Sequence, residues 1–156
     1  QSAFDSARPL LDKMTRRLEY LGPTGAGAAM KLAVNLPLMV YWSALGEAAS
    51  LALSKGIDPA LVFDILTDSS GAIVPAQKRV PPILKMMTEG DPGAVGLSMT
   101  NGVKDLKLMC DLAEKTGGPS GVVSAALAMA QAAADDGWAD YDCSLVGVHA
   151  QKGKKT

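Results

Sequence analysis

The stretch GPTGAGAAMKLAVNLPLMVYWSALGEAASLALSK, residues 22–55, decides the fold of this chain. Its glycines impose a turn over 22–27, because glycine adopts backbone conformations that other residues avoid. From Ala28 to about Lys55 the apolar residues then fall on every side of a helical pattern. A helix that is apolar all round is buried between other elements. The stretch therefore predicts one long central helix, with a kink at Pro37.

Shorter helices are predicted on the C-terminal side of this stretch. The pair Asp58-Pro59 is typical of a helix start, with an N-cap carboxylate followed by proline in the first turn. Ser120 is expected to cap a later helix, and the pair Pro81-Pro82 favours a break in an earlier one. The predicted helices cover residues 59–67, 76–88, 100–115 and 122–136, and a last short helix begins near Asp142.

A different pattern precedes the glycine turn. Apolar residues from Phe4 to Met14 have helical spacing, and residues 17–21 alternate polar and apolar side chains, which predicts a short strand. The turn over 22–27 is therefore the best internal boundary. It separates a helix–strand piece, residues 1–21, from an all-helical body, residues 22–156.

Composition narrows the class of protein. The chain has 156 residues, of which 48% are hydrophobic and 20% charged, so one domain plus part of another can be folded. Its 15 basic and 16 acidic residues give a net charge of −1, which argues against a nucleic-acid or anionic-membrane partner. Its longest charge-free apolar stretch, 32–46, is too short to span a bilayer. Cys110 and Cys143 predict reduced thiols in a cytoplasmic protein, with neither a disulfide framework nor a metal site.

The glycine turn matches neither common nucleotide motif. Ala28 stands where a Walker loop needs Lys, and Met30 stands where a Rossmann fingerprint needs Gly or Ala. What remains is Lys31 and Asn35, four residues apart on one face of the helix. A lysine in the first turns of an apolar helix opposes the helix dipole and is poorly solvated, which favours proton transfer near neutral pH. The alternative is a lysine with a solvated head group beside an asparagine bonded to backbone.

At these residues the chain resembles a known family. Residues 22–35 are similar to the active-site helix of the β-hydroxyacid dehydrogenases, which include 3-hydroxyisobutyrate dehydrogenases. The resemblance continues through Ser69-Ser70-Gly71, through Lys104-Asp105-Leu106, and through a closing pattern from Gly137 to Ser144. It implies the helical C-terminal domain of the 6-phosphogluconate dehydrogenase-like type, with residues 1–21 as the last helix and strand of a Rossmann domain.

The resemblance also implies a chemistry. Hydride would pass between the hydroxyl-bearing carbon of a β-hydroxyacid and the nicotinamide of NAD or NADP. The missing N-terminal domain would bind most of this cofactor. Lys31 would be the general acid/base, Asn35 would hydrogen-bond the substrate, and Lys104 would contact cofactor or substrate. Asp105 and Lys107 are expected on a solvated helix face.

Two readings of the chain follow. In the first it is the C-terminal domain of a dehydrogenase, inactive when isolated from its cofactor domain, and it forms a homodimer through helical faces. In the second it is a helical dimerisation or interaction module without catalysis. Retention of both Lys31 and Asn35 favours the enzyme.

Overall fold

A computed structural model describes residues 1–152, and this part of the chain is helical without a β-strand. A π-helical turn, Ala134–Trp138, and a 3₁₀ turn, Cys143–Leu145, precede the last helix. The helices are α1 (Ser2–Leu11), α2 (Ala26–Leu53), α3 (Pro59–Thr67), α4 (Ala76–Glu89), α5 (Met99–Thr116), α6 (Gly121–Ala133) and α7 (Val146–Lys152).

The central helix α2 is confirmed. It has 28 residues, continues through Pro37, and packs against α3, α5, α6 and α7. Length and composition alone would let α2 cross a membrane. Met39, Trp42, Leu45 and Ala49 are nevertheless buried in the shared core, which is the environment of a core helix in a helical domain.

Local signals set most of the helix ends. The carboxylate of Asp58 accepts a hydrogen bond from the Leu61 amide at 3.2 Å, as the N-cap prediction requires. Gly56, Gly117 and Gly137 have φ of 74°, 67° and 89°, and each lies where a helix or helical turn ends. The glycines thus stop the chain from continuing as helix.

Two predictions about helix breaks and caps were wrong. Helix α4 continues through Pro81-Pro82, because the buried side chains of Val80, Ile83 and Met86 hold both halves against the core. Ser120 precedes α6, but its side chain makes no capping hydrogen bond. Its φ of −134° and ψ of 2° differ from the extended conformation usual at an N-cap.

The strand predicted over residues 17–21 was also wrong. This segment is without regular structure, since a strand needs a neighbouring strand and residues 1–152 contain none. Helix α1 forms as predicted but ends at Leu11 and has no buried residue. The ring of Phe4 lies 5.4 Å from that of Tyr20, which links α1 to the irregular segment.

The C-terminal part of the chain is organised around Asp142. Its buried carboxylate accepts hydrogen bonds from Arg79 at 2.9 Å, from the Gly96 amide at 2.7 Å and from the Ser144 hydroxyl at 2.7 Å. Asp142 therefore ties α4, the segment before α5 and the 3₁₀ turn to one another. The predicted last helix begins close by, as α7 at Val146.

Both cysteines are free thiols. Cys110 is half-buried, whereas Cys143 is buried. Burial is the main cause that raises the pKa of the Cys143 thiol to about 12, and the neighbouring carboxylate of Asp142 adds to it. Cys143 is therefore a small apolar side chain of the core.

Candidate active site

Lys31 meets a buried carboxylate from another helix. Its Nζ donates a hydrogen bond to Oδ2 of Asp105 at 2.6 Å, although the two residues are 74 positions apart in sequence. The Lys31 side chain is 56% exposed and that of Asp105 is 9% exposed. The ammonium group is thus open to a solute on one side and fixed by a carboxylate on the other.

The glycine turn places Lys31 at this position. Gly25 precedes α2 with φ of 100°, a conformation that favours glycine, and the helix then begins at Ala26. Lys31 falls in the second turn of α2. The poorly solvated setting expected for Lys31 is wrong, because its side chain is 56% exposed and α5 supplies Asp105 as its partner.

Close packing of α5 against α2 brings Asp105 to the lysine. A Cβ added at Gly102 would lie 2.9 Å from Cε of Met39 and 3.2 Å from Cβ of Cys143. Glycine at this position therefore lets α5 approach α2 without a clash. Ser98 fixes the start of α5, since its hydroxyl accepts a hydrogen bond from the Asn101 amide at 3.3 Å.

Asn35 lies one turn after Lys31 on α2 and is half-buried. The i, i+4 spacing places the two side chains on one face, as predicted. The side-chain amide of Asn35 forms no hydrogen bond with other residues in the described range 1–152. Its donor and acceptor are therefore available beside the Lys31 ammonium.

Lys104 approaches the same carboxylate. Its Nζ is 4.0 Å from Oδ1 of Asp105, and its side chain is 65% exposed. Lys104 also lines a groove of about 550 Å³ between α5 and the π-helical turn, together with Lys107, Leu108 and Gln131. The structure thus brings Lys31 and Lys104 together around Asp105.

The prediction that Asp105 is solvated was wrong, whereas Lys107 is exposed as expected. The spacing of residues in α5 contains a signal for the burial of Asp105. Asp105 lies three residues after Gly102 and four before Met109, which is the spacing of the buried face of α5. A carboxylate at such a position needs a charged or hydrogen-bonding partner, and Lys31 is that partner.

The closing pattern from Gly137 to Ser144 has a structural part in the fold. Burial opposes ionisation of Asp142, but hydrogen bonds from Ser144 and from the amides of Gly96 and Leu97 outweigh it. The pKa of Asp142 therefore lies below its ordinary value. This carboxylate holds the segment before α5, and so it supports the helix that carries Asp105.

Comparison with known proteins assigns the family. Residues 25–148 match the family model described as NAD-binding of NADP-dependent 3-hydroxyisobutyrate dehydrogenase. A probable mitochondrial 3-hydroxyisobutyrate dehydrogenase of Arabidopsis thaliana is 31% identical over 99% of this chain and 45% of its own length. The chain belongs to the β-hydroxyacid dehydrogenase family.

Solved structures of the family share the fold. The crystal structure of a 3-hydroxyisobutyrate dehydrogenase from Salmonella typhimurium superposes with a TM-score of 0.81 at 28% identity, covering 96% of this chain and 51% of that one. A Mycobacterium tuberculosis 3-hydroxyisobutyrate dehydrogenase solved with L-serine gives a TM-score of 0.73 at 27% identity. It covers 97% of this chain and 52% of the other. The chain thus spans about half the length of the relatives it matches.

Proposed function

We propose that this chain is the C-terminal domain of an NAD(P)-dependent β-hydroxyacid dehydrogenase, similar to 3-hydroxyisobutyrate dehydrogenase. The observation that carries the proposal is the open ammonium of Lys31, fixed by the buried carboxylate of Asp105 and placed one turn before Asn35. The family match over residues 25–148 supports it. The M. tuberculosis relative solved with L-serine supports a small β-hydroxyacid as the substrate class.

Lys31 acts as the general acid/base. In oxidation it takes the proton of the substrate hydroxyl, and in reduction it returns a proton to the carbonyl oxygen. Asp105 keeps the amine directed by a hydrogen bond of 2.6 Å, so the reacting nitrogen has a fixed position. Asn35 hydrogen-bonds the substrate on the same helix face, which orients the carbon that gives or takes hydride.

The residues of this chain fit one part of a nicotinamide cofactor site. Lys104 and Lys107 expose two ammonium groups on α5, which suits phosphate or carboxylate groups. A glycine-rich phosphate loop of the dinucleotide-binding type is absent from the sequence. When bound, NAD or NADP would accept hydride from the substrate, or NAD(P)H would donate hydride to it. Lys104 contacts the cofactor or the substrate from the helical side of the cleft.

The domain division follows from the same proposal. Residues 1–21 belong to an N-terminal Rossmann domain, and residues 22–156 form the substrate and dimerisation domain. The lack of any buried residue in α1 supports this, because an amphipathic helix normally packs against a partner. Tested apart from a cofactor-binding domain, residues 22–156 do not turn over a β-hydroxyacid. The protein is a cytoplasmic homodimer that binds neither nucleic acid nor membrane.

Replacement of Lys31 tests the proposed chemistry. In the full-length dehydrogenase, Lys31→Ala lowers kcat ~10²–10⁴-fold, since it removes the proton-transfer group. Lys78→Ala, at an exposed lysine of α4, is the matched control and keeps kcat within about twofold. Turnover is followed by NAD(P)H absorbance with small β-hydroxyacids.

The alternative is a helical interaction module without catalysis. The exposed apolar side chains of α2, which include Met30, Val34 and Leu51, favour it because they suit contact with another protein. A near-normal kcat for Lys31→Ala, or no turnover with any β-hydroxyacid, would support the module instead.

A further inference from the structure

The groove between α5 and the π-helical turn carries charges of both signs. Its volume of about 550 Å³ is in the range of small-molecule sites. Lys104 and Lys107 line it from α5, and Asp135 lines it from the turn. One wall of the groove therefore presents two ammonium groups, and the other presents a carboxylate.

The charges of Lys107 and Asp135 are not paired within the protein. Both side chains are exposed, and neither forms an ion pair with another of residues 1–152. Oδ1 of Asp135 accepts a hydrogen bond from the side-chain amide of Gln131 at 2.8 Å, which leaves Oδ2 for a further donor. Since Lys107 and Asp135 line one groove without contacting each other, a ligand with both charges can bridge them.

The remaining lining of the groove is mostly apolar. Val103 and Leu108 contribute from α5, and Ala134 and Ala139 contribute from the opposite wall. Leu108 is 46% exposed, so an apolar group that covers it gains free energy by removing this surface from water. The ligand that fits the groove has an apolar group beside its two charges.

Hydrogen bonds between the two walls fix the shape of the groove. The backbone amide and the hydroxyl of Thr100, at the start of α5, both donate to the carbonyl oxygen of Ala139 at 3.0 Å. The bond from Gln131 directs the carboxylate of Asp135 in a similar way. Because these groups are already ordered, a small ligand loses little of its binding free energy to ordering the protein.

We propose that this groove is a second binding site, for a free α-amino acid with an apolar side chain. The ligand carboxylate lies between Lys104 and Lys107, its ammonium group pairs with Oδ2 of Asp135, and its side chain covers Leu108. A ligand with negative charge alone, such as phosphate, would meet the Asp135 carboxylate as a like charge. A ligand with positive charge alone would meet two ammonium groups, and the amino acid avoids both conflicts.

The first test is an NMR titration of the full 156-residue chain with L-leucine. The amide shifts are expected along α5 and the π-helical turn, with a dissociation constant of about 1 mM or tighter. Glycine lacks the apolar side chain, 4-methylpentanoate lacks the ammonium group, and 3-methylbutylamine lacks the carboxylate. Each is expected to bind at least about fivefold more weakly than L-leucine. Equal binding of any of the three, or no saturable shift up to about 20 mM L-leucine, would overturn the proposal.

Charge variants separate an amino-acid site from a simple anion site. Lys107→Gln and Asp135→Asn are each expected to weaken L-leucine binding about fivefold. If the groove instead selects anions, Asp135→Asn tightens the binding of inorganic phosphate and leaves L-leucine unaffected, which would overturn the proposal. Lys115→Gln and Asp111→Asn, at exposed positions of α5 outside the groove, are the matched controls and keep the dissociation constant within about twofold.

Asn35→Ala separates the groove from the proposed catalytic site. Asn35 lies one turn from Lys31 and outside the groove, so its loss keeps the dissociation constant for L-leucine within about twofold. Weaker binding in Asn35→Ala, with Lys107→Gln unaffected, would place the ligand beside Lys31 and overturn the proposal. Circular dichroism confirms that each variant is folded. None of these measurements depends on hydride transfer, so failure of this site and failure of the proposed chemistry are distinguishable.

Discussion

The position of the Lys31 ammonium depends on the carboxylate of Asp105. It is buried and accepts a hydrogen bond from Nζ at 2.6 Å, while Lys104 stays at 4.0 Å. A lysine side chain has several rotatable bonds, so an ammonium without this partner would sample many positions. The Lys31–Asp105 pair therefore limits where the proton-transfer group can be.

Asp105→Asn is expected to lower kcat of the full-length dehydrogenase about 10–100-fold, because the amide holds the ammonium less firmly. The KM for NAD(P) changes little, since the variant leaves Lys104 in place. Unfolding free energy changes by less than about 1 kcal/mol, because Lys31 can be solvated. Asp111→Asn, at an exposed carboxylate of the same helix, is the control. An equal loss of kcat in both variants would show that Asp105 does not position the Lys31 ammonium.

The sequence predicted half of this site. Lys31 and Asn35 lie within one helical turn of each other, so their shared face follows from spacing alone. Charge patterning predicts a solvated helix face for Asp105 and Lys107, and for Asp105 this prediction is wrong. The pairing with Lys31 depends on how closely α2 and α5 approach, and Gly102 decides that distance. Such contacts between distant segments are not contained in local patterns.

At the scale of elements, the predictions are correct where the sequence signal is local. They are wrong where the element depends on a partner distant in sequence. Asp58 acts within one turn of its own helix and caps α3 as expected. The strand over 17–21 would need a neighbouring strand, and the described residues offer none. The split at Pro81-Pro82 did not occur, because packing of the buried α4 side chains outweighs two missing hydrogen bonds.

The crossing of α2 and α7 is another feature that local patterns did not show. A Cβ added at Gly46 would lie 2.2 Å from Cα of Gly147, so only glycine permits this approach. Gly46→Ala is expected to destabilise the chain by about 2–3 kcal/mol, despite the better helix propensity of alanine. Urea unfolding followed by circular dichroism measures the change.

Gly27→Ala is the matched control for this crossing. Gly27 lies in the same helix, and nothing is within 4 Å of an added Cβ. The variant is expected to stabilise the chain by about 0.5–1 kcal/mol, as alanine does in an open helical position. If Gly46→Ala also stabilised the chain, the close approach of α2 and α7 would not exist in solution.

At the scale of the whole molecule, Asp142 joins parts that are far apart in sequence. Arg79 from α4, the amides of Gly96 and Leu97, and Ser144 all donate to its carboxylate. A Cβ at Gly96 would lie 2.3 Å from the Arg79 guanidinium, so the segment before α5 must pass close to this pair. The charge on Asp142 is therefore a condition for the assembled fold.

Acid should weaken the fold through Asp142. Its pKa in the folded chain is below the ordinary value of 3.8, so its contribution is complete above about pH 5 and is lost as the pH falls through the folded pKa. Asp142→Asn is expected to destabilise the chain by about 3 kcal/mol at pH 7, because buried donors lose a charged acceptor. Between pH 5 and pH 3 the variant then loses less stability than the parent. Asp91→Asn, at an exposed carboxylate paired with Lys85, is the control and leaves stability at pH 7 nearly unchanged. Thermal unfolding at pH 7, 5 and 3 compares the three proteins. If Asp142→Asn and the parent lose equal stability between pH 5 and pH 3, ionised Asp142 does not stabilise the fold.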